Sequence, residues 1–173
     1  MSPRQLPDQW RRLGDGILSD ASQTSTVTVY LLGGVDVGKS TFASFLLNQL
    51  ATTGLSPSLL DGDPGQSLLG PPTTLGIARS EKGEWVQPII RFVGGTTPVG
   101  HLLQTAVAAR RLLDQRAAGP VVVDSPGFLT PGVGEEFQYN MVELLRPTHL
   151  VSIGDEADEP GFLRSFQRDG AVT

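Results

Sequence analysis

Residues 33–40 read Gly33-Gly34-Val35-Asp36-Val37-Gly38-Lys39-Ser40, which satisfies G-x-x-x-x-G-K-[ST] at every fixed position. Glycines at both ends let the backbone curl into a nest whose N–H groups point inward, a geometry suited to phosphate oxygens. Lys39 would reach β- and γ-phosphates, Ser40 would offer its hydroxyl to Mg²⁺, and Thr41 could bond an α-phosphate. The chemistry expected is binding of ATP or another nucleoside triphosphate with Mg²⁺. The plainer alternative is a glycine-rich turn with a surface lysine, but the full spacing between an apolar strand and a helix favours the phosphate site.

Two further stretches carry carboxylates at the ends of apolar runs. Asp61-Gly62-Asp63-Pro64-Gly65-Gln66 ends one of them. Two carboxylates one residue apart could bind Mg²⁺ or accept a proton from an attacking hydroxyl. They could equally form an Asx-type turn on nearby N–H groups, and the local sequence leaves both open. Asp124-Ser125-Pro126-Gly127 ends the run Val121–Val123. An aspartate there, in a protein with a phosphate loop, holds Mg²⁺ or its water; a turn or helix-capping aspartate is the alternative.

Positioning these groups requires strands that end beside one another. Thr26 to Leu32, Pro57 to Asp61, Ile89 to Val93, Val121 to Val123 and His149 to Ile153 read as strands. Between them Phe42, Phe45, Leu46 and Leu50 recur at helical spacing, as do Leu102 to Leu113 and Phe137 to Leu145, with Gly54 closing the first helix. Residues 7–18 are expected to form a short amphipathic helix despite Gly14 and Gly16, followed by a polar linker to Ser25. The stretch from Gly70 to Gly76, with Pro71 and Pro72, is expected to be a loop. Alternating strands and helices predict an α/β P-loop NTPase fold, a mostly parallel sheet with helices on both faces. The expected division is a helix and linker over 1–25, a core over 26–155, and a tail over 156–173.

Composition bounds the rest. The chain has 173 residues, 39% hydrophobic and 18% charged, which fits one globular domain. It has no cysteine, excluding disulfides, thiolate zinc sites and cysteine nucleophiles. A net charge of −5 argues against coating a long phosphate backbone, though not against a local basic site. There are eleven arginines but only two lysines, Lys39 and Lys82. No apolar run approaches the ~18 residues of a membrane span, and residues 1–12 lack a secretory h-region. The default expectation is a soluble cytoplasmic protein, or a nuclear one in a eukaryote.

Taken in order, the motifs GGVDVGKST, DGDPGQS, RFVGGTTPVGH and VVVDSPGF resemble the polynucleotide 5′-hydroxyl kinases, over about Thr26 to Ile153. That family includes RNA and DNA kinases of archaea and bacteria, rRNA-processing kinases and the kinase-like subunit of the mRNA cleavage machinery. The resemblance implies transfer of the ATP γ-phosphate to the 5′-OH of RNA or DNA. It casts Asp63 as the base for that hydroxyl, with Asp61 and Gln66 assisting through metal, water or substrate. Asp124 corresponds to the aspartate on the metal side. Thr96, Thr97 and His101 fall where the family lines its substrate groove, although His101 also suits a helix start. The family's lid carries arginines spaced R-x-x-x-R, matched here by Arg164 and Arg168. Family members usually continue further, so the expectation is a minimal or truncated kinase with part of its base pocket supplied from elsewhere.

Three rival readings stand beside it. Asp124-Ser125-Pro126-Gly127 also fits a GTPase switch, but residues 149–155 lack the [NT]-K-x-D element for guanine. The deviant loop of partitioning ATPases fails because Leu32, not lysine, precedes Gly33. A catalytically weak ATP-binding scaffold is opposed by the intact Lys39, Ser40, Asp63 and Asp124. Single-strand binding would use a stacking aromatic, for which Trp85, Phe92 and Phe128 are unranked candidates. Nothing in the sequence assigns a contact to a 2′-OH, which would separate RNA from DNA.

Overall fold

Thr28–Leu32 (β1) is apolar along nearly its whole length, and all five residues are buried. Such a strand must be covered on both faces. The computed structural model, which describes residues 7–24, 26–155 and 159–167, supplies that cover from two helical layers. On one face Val29 and Leu31 pack with Phe42, Leu46 and Leu50 of α2 (Lys39–Thr52) and with Ile17 and Ala21 of α1 (Asp8–Gln23). On the other, Tyr30 and Leu32 pack with Leu112 of α3 (Leu102–Asp114) and Met141 of α4 (Val133–Leu145). The alternation along one strand therefore assigns each helix to its layer.

Six strands form one sheet in the order β4-β3-β2-β5-β1-β6. β2 (Ser58–Asp61), β5 (Val121–Asp124), β1 and β6 (His149–Ser152) pair in parallel. Their carboxyl ends share one edge of the sheet, where ligands of open α/β folds collect. Asp61 and Asp124 stand opposite each other in the β2–β5 register, so the two acidic turns emerge side by side.

Two expectations need correction. The polar linker begins later than the sequence indicates, since α1 runs on to Gln23 and buries Ala21. Burial of Ile17 and Ala21 beside β1 outweighs the modest helix preference of the intervening polar residues. Further on, only the first half of 70–76 is a loop. Thr74–Glu81 form β3, which returns antiparallel to β2, and Glu84–Phe92 form β4 on the outer edge. Lys82 and Gly83 turn the chain between them with φ of 51° and 85°, the conformation of a two-residue hairpin with a primed turn. An antiparallel hairpin thus completes a sheet that is otherwise parallel. Beyond β6, the short α5 (Leu163–Gln167) buries Leu163 in the core, while Phe162 and Phe166 gather around Tyr139 of α4.

Candidate active site

The loop between β1 and α2 has the geometry its glycines require. Gly38 adopts φ 104° at the cap position of α2, a region hostile to residues with a Cβ. A Cβ on Gly33 would lie 2.3 Å from the Ile153 carbonyl oxygen, so the loop can sit against the end of β6 only with glycine there. Asp36 also has positive φ, 59°. The N-terminus of α2 then opens onto the cavity with its free N–H groups and positive dipole end.

Lys39 is buried, and its Nζ donates to the Gly34 carbonyl oxygen at 2.5 Å, closing the loop on itself. Burial pulls its pKa below the usual lysine value, partly offset by the charges of Asp124, Asp63 and Asp36. Ser40 Oγ donates to Asp124 Oδ2 at 2.6 Å. Asp124 is buried, and its other oxygen, Oδ1, has no hydrogen-bond partner among the described residues. Burial raises the Asp124 pKa, the Ser40 hydrogen bond and Lys39 oppose this, and Asp61 and Asp63 add to it. A serine hydroxyl beside a carboxylate with one open oxygen, facing a phosphate loop, fits Mg²⁺ held with phosphate oxygens and water. No group of three or more His, Asp or Glu among the described residues could hold a metal without such help.

The acidic turn divides its work. Asp61 Oδ2 accepts from Ser67 Oγ at 2.9 Å and from the N–H groups of Leu68 and Leu69 at 2.6 and 3.2 Å. Burial raises its pKa, and these donors counter the rise. One oxygen of Asp61 is therefore committed to anchoring residues 67–69. Asp63 is half-exposed, and its Oδ1 accepts from Gly65 N–H at 2.8 Å and Gln66 N–H at 3.3 Å. The Asx turn and the catalytic reading thus coexist, because the turn fixes the carboxylate at the mouth of the site.

Asp63 stands at the junction of two cavities. The first, about 350 Å³, holds Lys39, Ser40, Thr41, Asp61 and Asp124 around the phosphate loop. The second, about 580 Å³, is an open groove lined by Gln66, Thr96, Thr97 and Phe128. Asp63 and Gln66 line both. The groove walls meet where Gly65 backs onto the Thr96 carbonyl, an approach that leaves no room for a Cβ.

Other expected residues sit elsewhere. His101 lines neither cavity; its ring packs against Gly94 and Gly95 at the start of α3, the structural alternative for that residue. Arg164 is exposed on α5 and lines neither cavity, and Arg168 lies outside the described residues. Of the three aromatics, Phe128 alone faces the groove, whereas Trp85 and Phe92 are on the edge strand β4. Gln138 escaped the sequence reading. It is fully buried on α4, accepts from Tyr30 OH at 2.5 Å, and donates Nε2 to the carbonyls of Pro126 and Phe128 at 2.8 and 3.3 Å. A glutamine within the apolar stripe of a predicted helix was the only available signal.

Comparison with known proteins agrees with this architecture. The model for the mRNA cleavage and polyadenylation factor CLP1 P-loop matches residues 33–172. A polyribonucleotide 5′-hydroxyl-kinase of Thermococcus kodakarensis is 32% identical over 161 residues, 89% of this chain and 45% of that protein. One of Methanocaldococcus jannaschii is 29% identical over 146 residues, covering 80% of this chain and 40% of the relative. The chain thus spans less than half the length of these relatives. The solved wild-type Clp1p–Pcf11p complex shares the fold at a TM-score of 0.73 and 14% identity, covering 98% of this chain and 46% of that one. With the glycine loop, the Ser40–Asp124 pair and the Asp63 turn gathered at one sheet edge, the chain belongs to the mRNA cleavage and polyadenylation factor CLP1 P-loop family.

Proposed function

We propose that this chain is the catalytic core of an ATP-dependent kinase that phosphorylates the 5′-hydroxyl end of RNA or DNA. The observation that carries the reading is the position of Asp63 between a phosphate-binding cavity and an open groove. A γ-phosphate held in the first and a 5′-hydroxyl entering along the second would meet beside its carboxylate. The relatives named as polyribonucleotide 5′-hydroxyl-kinases support the same choice of reaction.

The loop N–H groups cradle the phosphates and Lys39 exchanges its Gly34 contact for phosphate oxygens. Ser40 and Asp124 would hold Mg²⁺, which when bound neutralises charge on the phosphates. Asp63 accepts the proton of the 5′-hydroxyl as its oxygen forms a bond to the γ-phosphorus, the bond from that phosphorus to the bridging oxygen breaks, and ADP leaves. Asp61 holds the acidic turn, while Gln66, Thr96 and Thr97 border the incoming strand. Phe128 offers a surface on which the terminal base stacks. In this reading Arg164 takes the role of a lid arginine, together with Arg168, which lies outside the described residues. His101 supports the groove loop rather than touching substrate.

The test is end-labelling with γ-labelled ATP and Mg²⁺, comparing oligonucleotides that carry 5′-OH or 5′-phosphate. Label on the 5′-OH oligonucleotides alone supports the reading. Nucleotide binding with no transfer to either RNA or DNA favours the scaffold alternative.

A further inference from the structure

The charge of this acidic chain is not spread evenly. Residues 74–118, which comprise β3, β4, the groove loop and α3, hold six arginines and lysines against three acids, while the chain as a whole carries −5. At the C-terminal end of α3, far from the phosphate loop, a cleft of about 270 Å³ opens between this helix and the β3–β4 hairpin. Arg79, Gln87, Gln115 and Arg116 line it. Arg91, on β4, donates Nη2 to Gln115 Oε1 at 3.0 Å and so holds an amide on the cleft wall.

These cations are only partly matched. Arg79 pairs with Glu81 at 2.5 Å, an exposed contact, and Arg116 donates to the Leu113 carbonyl at 3.2 Å. The Nε atoms of Arg79 and Arg91 are buried and have no hydrogen-bond partner among the described residues. Closing the last turn of α3 accounts for Arg116. It does not account for Arg79, which lines the cleft from β3, or for Arg91, whose guanidinium reaches the same helix end from β4. Arginine forks gathered at one opening match phosphate oxygens.

The position of the cleft gives this a direction. Thr96 and Thr97 belong to the loop that enters α3, and Arg116 follows its last turn. Thirteen residues of helix separate the two ends, about 20 Å, a distance that ~6 nucleotides cover at a stacked rise of ~3.4 Å. We propose that the cleft lined by Arg79 and Arg116, with Arg91 beside it, binds the phosphodiester backbone of the acceptor strand several nucleotides downstream of the 5′ end. The inference rests on the kinase reading above for the identity of the strand. It makes the enzyme sensitive to acceptor length through residues remote from the chemistry.

The experiment measures binding of fluorescent 5′-OH oligonucleotides of 3 and 12 nucleotides by anisotropy, across a salt series, alongside transfer kinetics. The probe is the wild-type chain against the triple variant Arg79→Gln/Arg91→Gln/Arg116→Gln and the single variant Arg116→Gln. Three single-strand phosphate contacts contribute a log–log salt slope of about −2. The triple variant should bind the 12-mer at least fivefold more weakly at moderate salt, with the slope flattened by about 2, while the 3-mer keeps its Kd and KM. Arg116→Gln alone should give a smaller loss confined to the 12-mer, which guards against a general folding defect in the triple variant. Unchanged 12-mer binding and slope in both variants, or equal losses for 3-mer and 12-mer, overturns the cleft. Transfer that persists with an unchanged slope removes the cleft and leaves the kinase; absent transfer with the expected slope change removes the kinase and leaves the cleft.

Discussion

Ser40 on the first turn of α2 and Asp124 at the end of β5 are joined by a 2.6 Å hydrogen bond across 84 positions of sequence. Asp124 is buried while Ser40 is exposed, and the Asp124 pKa is raised because burial penalises its charge. Without ligand, this corner of the site is costly to ionise. Phosphates and a divalent cation would relieve the cost.

That relationship predicts a stability trade. A carboxyl whose folded pKa is raised above its unfolded value contributes stability below the unfolded pKa and loses it as pH rises through the folded pKa. At neutral pH an ionised Asp124 therefore destabilises the ligand-free chain. Asp124→Asn should raise its Tm by ~2–4 °C, roughly 1 kcal/mol, and the gain should shrink as pH falls. The same variant should lose the extra thermal stabilisation that Mg²⁺ gives with ATP. A calorimetric melt at pH 7 and at pH 4, with and without ligand, checks both halves.

Asp63 is tied by its Asx turn yet borders both cavities. Asp63→Asn keeps an oxygen for the turn and removes the proton acceptor. Transfer should fall by ~10²–10⁴ with nucleotide affinity changed by less than about twofold. Parallel titration with a fluorescent ATP analogue and single-turnover labelling separates the two effects.

The phosphate loop leaves no space for a side chain at its start. Gly33→Ala would place a Cβ 2.3 Å from the Ile153 carbonyl oxygen. The loop must then move off β6, and ATP affinity should drop at least tenfold while the far-UV spectrum stays that of the parent. Isothermal titration calorimetry reads the loss directly.

Gln138 links Tyr30 to the carbonyls of Pro126 and Phe128 from inside the core. Gln138→Leu leaves these groups without partners, costing ~1–3 kcal/mol. Because the same turn carries Phe128 into the groove, KM for a 5′-OH oligonucleotide should also rise, whereas KM for ATP should not. Chemical denaturation and the two KM values test the point together.

The parts of this account that the sequence reveals are those whose signals are local. Gly33 to Ser40 declares its function through fixed spacing, and the buried strands announce themselves as unbroken apolar runs. The hairpin was harder. Pro71 and Pro72 draw attention to a loop, and β3 starts only two residues beyond them, while β4 exposes most of its side chains at the sheet edge and so lacks clear alternation. Lys82-Gly83 was the available turn signal. Asp61 and Asp63 could not be told apart by type or spacing. Only the fold shows one committed to the Leu68 and Leu69 amides and the other held at the groove. His101 stayed open for a similar reason: an imidazole before a helix reads the same whether it faces substrate or packs on Gly94 and Gly95.

The central claim is that Asp63 activates a 5′-hydroxyl against ATP held on the phosphate loop. The most direct measurement is the single-turnover rate of γ-phosphate transfer to one 12-nucleotide strand, as 5′-OH RNA and as 5′-OH DNA, by the wild-type chain and by Asp63→Asn. The account predicts label at the 5′ end of at least one strand with wild type, and a rate lower by ~10²-fold or more with the variant at saturating ATP. Equal rates for the two proteins, or ATP bound by both with no label on either strand, would contradict it.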